Sequence, residues 1–307
     1  MIKKLIFFGT MTLTFSFTAC SQVEEENIVQ QADSLAIPQD TAIISPFKNS
    51  SYTRYDNKWI ELTKGISYIE RTAPDSAIVN NSKISILKID PAVAEFEFKS
   101  ATQNNKEMLC VVDYAEKFDY NIVINAGMYD LRNYYKSKGL LINNPEHANN
   151  PQLYPNYNMM ICANPKKEGL SNFNVVDLTF HPWSTIRSKY SSFSQGLRMI
   201  DAEGRPMSWN KRAQYCSQLI VAEDKDGMVY FIFTRSPYSQ NYMINFMVNM
   251  GLRNAVYMEG GPQTSLYVNI GEHRIEKLGS YVSNTYPTDA NGEFWPLPNV
   301  IGVRVKK

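Results

Sequence analysis

An acidic residue followed by two glycines ends a short apolar segment in the C-terminal part of the sequence. Residues 255–258 read as a strand, and Glu259 follows them directly, with Gly260 and Gly261 next. A carboxyl group held at a strand end can donate or accept a proton in a hydrolytic reaction. A turn alone needs one glycine, so we expect the pair to leave room for a ligand to reach the backbone N–H groups beside the acid.

A similar unit occurs earlier in the chain. Residues 121–125 form another short apolar segment, which ends in Asn125 and is followed by Ala126 and Gly127. Each of the two segments follows a helical pattern and a short loop. We therefore predict that the two strand ends meet and that Asn125 and Glu259 line one cleft, where the N–H group of Gly127 also faces a ligand. Other side chains of the two motifs that could contact the ligand there are Tyr129, Thr264 and Ser265.

Two periodicities place these motifs in a fold. Residues 93–99 alternate strictly between apolar and charged side chains, as in a half-buried strand, whereas residues 107–118 and 242–250 carry apolar side chains at helical spacing. Residues 129–155 are polar and aromatic, and we interpret them as a long loop or lid. The prediction is an α+β fold in a single globular domain, with mostly antiparallel or mixed β-sheet and two principal helices. Further strands are predicted at residues 84–90, 158–163, 173–178, 196–201, 218–223, 228–233, 266–270 and 300–305.

The first 50 residues differ in composition from the rest. Residues 1–20 combine a basic start with an apolar stretch that is too short to span a bilayer, and they end in Cys20, as in the signal peptide of a bacterial lipoprotein. Residues 21–50 are polar and without periodicity, and they read as a tether. We therefore predict export, lipidation of Cys20, anchoring to the bacterial cell envelope at the outer membrane, and a globular domain at residues 51–307.

Charge and metal-binding residue types exclude several classes of function. Lys and Arg total 31 against 30 Asp and Glu, and no basic cluster is interleaved with aromatic residues, so we expect no nucleic-acid partner. The three histidines, His147, His181 and His273, lack the spacing of metal ligands. We predict no metal site and no cofactor, while structural Ca²⁺ bound by loop carboxylates stays open, as does the oligomeric state.

Five motifs, in order, resemble those of the phosphodiester glycosidase family. Residues 125–129, Asn-Ala-Gly-Met-Tyr, are similar to an Asn-Gly-Gly-Phe-Phe element of that family. Residues 259–267, Glu-Gly-Gly-Pro-Gln-Thr-Ser-Leu-Tyr, align without gaps on Asp-Gly-Gly-Gly-Ser-Ser-Thr-Leu-Tyr. Residues 139–142, 195–204 and 224–230 resemble the segments between them, and the order holds from residue 80 or so to the C-terminus. Glu259 replaces the family's Asp, and Gln218 stands where an Arg opens the strand before a hairpin.

The resemblance implies a glycoside hydrolase that acts on a sugar-1-phosphodiester or a related glycan. Glycosidic cleavage commonly uses two carboxyl groups, which we assign to Glu259 and Asp130. Gln218 would then be a neutral hydrogen-bond partner of the substrate. A cation that binds phosphate would have to come from elsewhere in the chain, for which the sequence offers Lys138, Arg198, Arg212 and Arg235.

A binding protein is the main alternative to an enzyme. On this interpretation the protein is a non-catalytic glycan-binding lipoprotein of the cell envelope, and Gln218 marks the loss of catalysis. A thiol hydrolase that uses Cys216 with His181 or His273 is a third interpretation, but no motif flanks Cys216. Replacing Glu259 by Gln separates the first two interpretations, because only an enzyme has turnover to lose.

Overall fold

Two β-sheets packed face to face carry most of the chain. The computed structural model describes residues 53–72, 83–209, 216–281, 289 and 291–306. The predicted signal peptide, Cys20 and the tether lie outside these residues, as does Arg212. Within the described part of the chain, no helix is long and apolar enough to cross a membrane.

Strands outnumber helices throughout the described residues. In chain order the strands are β1 (Ile60–Thr63), β2 (Ile66–Thr72), β3 (Lys83–Ile89), β4 (Ala94–Ser100), β5 (Ile122–Asn125), β6 (Tyr129–Asp130), β7 (Asn133–Ser137), β8 (Leu141–Asn144), β9 (His147–Asn150), β10 (Met159–Pro165), β11 (Phe173–Asp177), β12 (Tyr190–Ile200), β13 (Gln218–Glu223), β14 (Val229–Thr234), β15 (Arg253–Tyr257), β16 (Ser265–Ile270), β17 (His273–Leu278) and β18 (Asn299–Val305). The helices are α1 (Val111–Phe118), α2 (Trp183–Arg187) and α3 (Gln240–Asn249).

The strands form one large sheet, one smaller sheet and a two-stranded ribbon. The large sheet runs in the order β1-β2-β3-β14-β13-β15-β12-β10-β11, and β8 adds to it by pairing with β12 and β9. The smaller sheet has the order β17-β16-β5-β18-β4, and β6 pairs with β7 alone. All pairings between these named strands are antiparallel. The strands that carry the two predicted motifs lie in different sheets, β5 in the smaller sheet and β15 in the large one.

The main core lies between the two sheets, and helices cover both outer faces. Side chains of alternate residues on β13, such as Leu219 and Val221, meet side chains of the smaller sheet such as Ile124 and Ile301. Helix α3 packs its buried residues onto the opposite face of the large sheet, while α1 covers the smaller sheet. Strands such as β13 are therefore buried along their whole length, because both faces are covered. Full burial of each such apolar side chain contributes about 1.5–3 kcal/mol.

The predicted α+β fold with mostly antiparallel sheet in one domain is confirmed. The helix predicted at residues 107–118 begins later, at Val111, and the one predicted at residues 242–250 begins earlier, at Gln240. Ser239 caps α3 by accepting the N–H of Tyr242, and Gly251, with φ 74°, ends it in the left-handed conformation that glycine adopts without strain. The predicted strand at residues 218–223 has the observed bounds of β13. The short helix α2 was not predicted, because one and a half turns carry too few residues for a periodicity.

The prediction of a long loop at residues 129–155 is wrong. This segment holds four short strands, β6 to β9, of two to five residues each. These strands are short and mostly polar, so each carries too few apolar residues for a periodicity to show in the sequence. Strand β8, for example, joins the large sheet through the pairs Ile142 with Phe193 and Leu141 with Ser194.

Candidate functional site

The ends of β5 and β15 meet where the two sheets join. The side-chain amide of Asn125 donates from Nδ2 to the backbone carbonyl of Glu259 at 2.9 Å. Its Oδ1 accepts the backbone N–H of Ser265 at 3.0 Å. Asn125 is fully buried, and both ends of its amide bind the chain. The predicted convergence of the two motifs is therefore observed, but Asn125 acts there as a clamp on the segment from Glu259 to Ser265.

The Glu259 carboxyl group is buried and held by backbone N–H groups. Its Oε2 accepts the N–H of Tyr129 at 2.9 Å, and the N–H of Gly260 also binds the carboxylate. Only 6% of the residue is exposed. Burial raises the pKa of Glu259 to about 7, against the two N–H donors and the positive charge of Lys138, which lower it. A carboxyl group with such a pKa exists in both protonation states at neutral pH.

Tyrosine rings surround this carboxyl group. Tyr129 and Tyr134 pack edge to face with ring centroids 5.1 Å apart, and Tyr157 lies close enough for the charge of Glu259 to raise its pKa, after burial as the larger cause. The hydroxyl groups of Tyr129 and Ser194 are buried and have no hydrogen-bond partner among the described residues. Buried polar atoms without partners are rare in folded proteins and mark places where water or a ligand binds.

The three glycines of the motifs do not offer free N–H groups, which corrects the expectation from the sequence. The N–H of Gly127 lies 3.3 Å from Met258 Sδ, and that of Gly261 donates to Ser217 O at 3.0 Å. Gly127 and Gly261 have φ of 69° and 74°, a conformation that other residues adopt only with strain. At Gly260 a Cβ atom would lie 2.7 Å from Ser217 O, so no side chain fits. The glycines therefore shape the turn beside Glu259.

The hydroxyl groups of Thr264 and Ser265 also bind the protein. Thr264 Oγ1 donates to Ser217 O at 3.3 Å, and Ser265 Oγ donates to Gln263 O at 3.1 Å. Both residues are fully buried. Their predicted contact with a sugar is not visible in this geometry, because each hydroxyl stabilises the turn instead.

Two of the predicted phosphate-binding cations form ion pairs within the protein. Arg198 binds Asp177 at 2.9 Å, and Arg235 is buried with Asp289 at 2.6 Å while also donating to backbone carbonyls. Lys138 differs from both, because it forms no ion pair with a carboxylate of the described residues and its Nζ lies 5.2 Å from the ring centroid of Tyr154.

Gln218 and Asp130 have structural partners of their own. Gln218 is fully buried and donates to the carbonyl of Tyr238, while its Oε1 has no partner among the described residues. The carboxylate of Asp130 accepts the backbone N–H of Arg132 at 2.9 Å, which closes the turn between β6 and β7. The preceding residue, Tyr129, binds Glu259 through its backbone N–H, so Asp130 borders the site. Among the described residues, the Asp130 side chain forms no hydrogen bond with the Glu259 carboxylate or its N–H donors.

Three polar residues that hold the site were not predicted. The backbone carbonyl of Ser217 binds Gly261 and Thr264, while the side-chain amides of Asn150 and Gln195 bind backbone groups around Lys138 and Tyr154. Gln195 belongs to the family-like motif at residues 195–204, whereas Asn150 lies in the segment that was predicted as a loop, residues 129–155. Fully buried amides with several partners leave no periodic signal in a sequence.

Other features of the described residues do not overlap with this site. A cavity of about 240 Å³, lined by Trp59, Glu61, Lys88 and their neighbours, lies at β1 to β3, and a second of about 100 Å³ adjoins α2. Neither contains a residue of the predicted glycosidase site, and the second is lined by His181 of the thiol-hydrolase interpretation. No group of three or more His, Cys, Asp or Glu in the described chain could hold a metal ion. Cys162 and Cys216 are buried, and Cys216 Sγ lies 3.3 Å from the Tyr257 hydroxyl.

Comparison with known proteins agrees with the motifs. The model of the phosphodiester glycosidase family matches residues 118–304, which is more than half of the chain and includes both strand ends. The chain belongs to the phosphodiester glycosidase family. A search of curated protein sequences found no match. The family resemblance read from the sequence is therefore confirmed, and a glycosidase becomes the first expectation for the activity.

Solved structures show a similar fold at low sequence identity. A hypothetical protein from Synechocystis superposes with a TM-score of 0.53 and 14% identity, over 81% of this chain and 64% of that one. This chain therefore spans less than two thirds of the length of the Synechocystis protein. The catalytic domain of zebrafish N-acetylglucosamine-1-phosphodiester α-N-acetylglucosaminidase, auto-inhibited by its pro-peptide, gives a TM-score of 0.49 and 11% identity, over 79% of this chain and 82% of that domain.

Proposed function

We propose that this protein is a glycosidase that hydrolyses a sugar-1-phosphodiester at the cleft formed by the ends of β5 and β15. The observation that carries the proposal is the Glu259 carboxyl group, which belongs to a residue that is 6% exposed and is held by two backbone N–H groups, with a pKa raised by burial to about 7. Membership of the phosphodiester glycosidase family supports the same class of reaction. The zebrafish relative suggests an N-acetylglucosamine 1-phosphodiester as the first substrate to try.

The proposed step uses Glu259 as a general base. Its carboxylate takes a proton from a water molecule while the water oxygen bonds to the anomeric carbon. The bond from that carbon to the phosphate oxygen breaks, and its electron pair leaves with the phosphate. Because the second pKa of a phosphate monoester is about 6, this leaving group needs little protonation at neutral pH. One carboxylate with a pKa near the working pH then suffices, together with a cation that stabilises the leaving phosphate.

The other residues around the site have smaller roles in the proposed reaction. Tyr129 and Tyr134 offer aromatic faces to a sugar. The Tyr129 hydroxyl, which has no partner among the described residues, offers a polar group. Gln218 adds an Oε1 acceptor, which has no partner among the residues that the structure describes. Asp130 receives no chemical step, because its carboxylate already closes a turn. No metal or cofactor enters the reaction, which stays a prediction from the sequence.

We further propose that residues 1–20 direct export and that Cys20 carries the lipid anchor of a cell-envelope protein. The support is the sequence pattern of a basic start, an apolar stretch and a terminal Cys. Fractionation of cells expressing Cys20→Ala tests the anchor. The variant should leave the membrane fraction, and an unchanged membrane fraction would contradict lipidation at Cys20.

The decisive variant for the activity is Glu259→Gln in the domain that begins near residue 51. Removing a general base lowers kcat by about 100- to 10,000-fold, while binding of the sugar phosphate remains. Glu223→Gln is the matched control, because burial also raises the pKa of Glu223 to about 7, at the far end of β13 from Gln218. Release of phosphate monoester from a panel of sugar-1-phosphodiesters measures turnover, and calorimetry measures binding.

Two results would overturn the proposal. Full turnover by Glu259→Gln would remove the proposed base. Binding of sugar phosphates by the wild-type protein without any turnover would instead support the alternative function, a non-catalytic glycan-binding lipoprotein of the cell envelope.

A further inference from the structure

Lys138 places an ammonium group near the buried carboxyl group of Glu259. The residue is half-buried between β7 and β8, and its Nζ lies 5.2 Å from the ring centroid of Tyr154. The backbone N–H of Lys138 donates to Met128 O at 2.7 Å, and the next residue, Tyr129, donates its N–H to the Glu259 carboxylate at 2.9 Å, so Lys138 lies next to the segment that binds this carboxylate. In keeping with this placement, the positive charge of Lys138 lowers the pKa of Glu259. No carboxylate of the described residues forms an ion pair with Lys138, whereas Arg198 and Arg235 each have one.

One buried amide fixes the backbone that carries this lysine. Asn150 Nδ2 donates to three successive carbonyls, those of Ser137 at 2.9 Å, Lys138 at 3.3 Å and Gly139 at 3.1 Å. The N–H of Lys138 donates to Met128 O at 2.7 Å. Asn150 is only 4% exposed. Three bonds from one side chain hold the peptide groups on both sides of Lys138, so little backbone freedom is left to lose when a ligand binds.

A second buried amide fixes the aromatic ring under the ammonium group. Gln195 Oε1 accepts the N–H groups of Tyr154 at 2.9 Å and Leu140 at 3.1 Å, and its Nε2 donates to the carbonyls of Tyr154 at 3.0 Å and Tyr157 at 2.6 Å. Gly139 allows this close packing, because a Cβ atom there would lie 2.8 Å from the Tyr157 ring. Lysine and its aromatic support are thus held by two amides from different strands.

We propose that Lys138 is the anion-binding residue of the site and that its ammonium group binds the phosphate of the substrate next to Glu259. The inference rests on the proposed function. An unpaired, half-buried cation that a rigid backbone presents beside a catalytic carboxyl group binds an anion more strongly than an exposed lysine does, because less water screens it. As the bond to the sugar breaks, negative charge grows on the phosphate, and Lys138 stabilises it. A nitrophenyl leaving group carries no phosphate, and the charge that develops on it is delocalised into the ring and the nitro group, so it gains little from this contact.

Selectivity between a substrate that carries phosphate and one that does not tests the inference. The variants are Lys138→Gln and Lys138→Arg, and the substrates are an N-acetylglucosamine 1-phosphodiester and the nitrophenyl glycoside of the same sugar. A hydrogen bond between charged groups corresponds to roughly 10- to 100-fold in affinity or rate. Lys138→Gln should therefore lower kcat/KM for the phosphodiester by this factor and leave the rate on the glycoside within about threefold, while Lys138→Arg should retain most of the activity.

Lys225→Gln is the matched control, since it removes the same charge from an exposed turn at the far end of β13. It should lower neither rate. Equal losses on both substrates in Lys138→Gln would show that the lysine only supports the structure and would overturn the inference. So would an unchanged rate on the phosphodiester.

Binding of N-acetylglucosamine 1-phosphate, measured by calorimetry, separates this inference from the proposed function. If the wild-type protein binds the sugar phosphate without turnover and Lys138→Gln binds it 10- to 100-fold more weakly, the anion site stands and the proposed glycosidase fails. If turnover requires Glu259 but Lys138→Gln binds and reacts like the wild type, the glycosidase stands and the anion site fails. Absence of both binding and turnover overturns both.

Discussion

Replacing Asn125 by Ala should destabilise the protein and disable Glu259 in one step. The Asn125 amide donates to the Glu259 carbonyl at 2.9 Å and accepts the Ser265 N–H at 3.0 Å, in a fully buried position. Each buried polar group that loses its partner costs about 1–3 kcal/mol. The Thr264 hydroxyl remains 3.5 Å from the Glu259 carbonyl, which places the cost of that group at the low end. We expect the free energy of unfolding to fall by about 3 kcal/mol.

Asn125→Asp separates the two hydrogen bonds of the clamp. A protonated Asp can both donate and accept, but a carboxylate can only accept. Burial raises the pKa of the new carboxyl group in the folded state, so the folded protein keeps a proton that the unfolded chain releases. Stability is therefore present at low pH and is lost as the pH rises through the folded-state pKa. Relative to the wild type, Asn125→Asp should be mildly destabilised near pH 4–5 and strongly destabilised near pH 8.

Urea unfolding followed by fluorescence measures these differences, and kcat/KM measures the effect on the site. A displacement of Glu259 by about 1 Å lowers activity by roughly 100-fold, so the folded Asn125→Ala variant should lose activity to this extent. Asn269→Ala is the control, because Asn269 is exposed on the neighbouring strand β16. An Asn125→Ala variant with wild-type stability and wild-type kcat/KM would refute the clamp.

Two further predictions concern the carboxyl groups. Activity should rise with pH through about 7, because the Glu259 base must lose its proton, and a rate–pH profile without this limb would contradict the assigned base. The stability of the wild type relative to Glu259→Gln should be greatest below pH 4.5 and should fall as the pH rises to about 7, because the raised pKa keeps a proton on Glu259 in the folded state. Urea titrations of both proteins at several pH values measure this difference. The similar contribution of Glu223 is the same in both proteins and cancels. Asp130→Asn should change kcat/KM by less than about threefold, because its side chain serves the turn at Arg132, and a loss like that of Glu259→Gln would restore Asp130 as a second catalytic acid.

The convergence of the two motifs was predictable because both follow the same order of elements. A helix, a short connection and a strand that ends in a polar side chain and small residues occur twice, at Asn125 and at Glu259. The resemblance to the phosphodiester glycosidase family used the same residues and is confirmed. Which atoms meet was not predictable, because the two strands belong to different sheets and only their packing brings Asn125 Nδ2 to the Glu259 carbonyl.

The reasons for the glycines show a similar limit. The sequence indicates that side chains are absent at Gly260 and Gly261, and it suggests space for a ligand. The structure fills that space with Ser217, whose carbonyl approaches the turn from the start of β13. A close approach of backbone to backbone and an open cleft need the same residue type, so the sequence could not distinguish them.

Composition, alternation and motif order by themselves determined the fold class, the bounds of strands such as β13 and the family. These properties depend on neighbours in the chain and on the period of buried side chains, which a sequence displays directly. The tertiary structure alone decided which polar groups have partners. It paired Arg198 and Arg235 with carboxylates, left Lys138 near Glu259 without an ion pair to any residue that the structure describes, and made strands of the segment that holds Asn150. The pairing of a buried charge or amide depends on residues distant in the chain, and no local pattern records them.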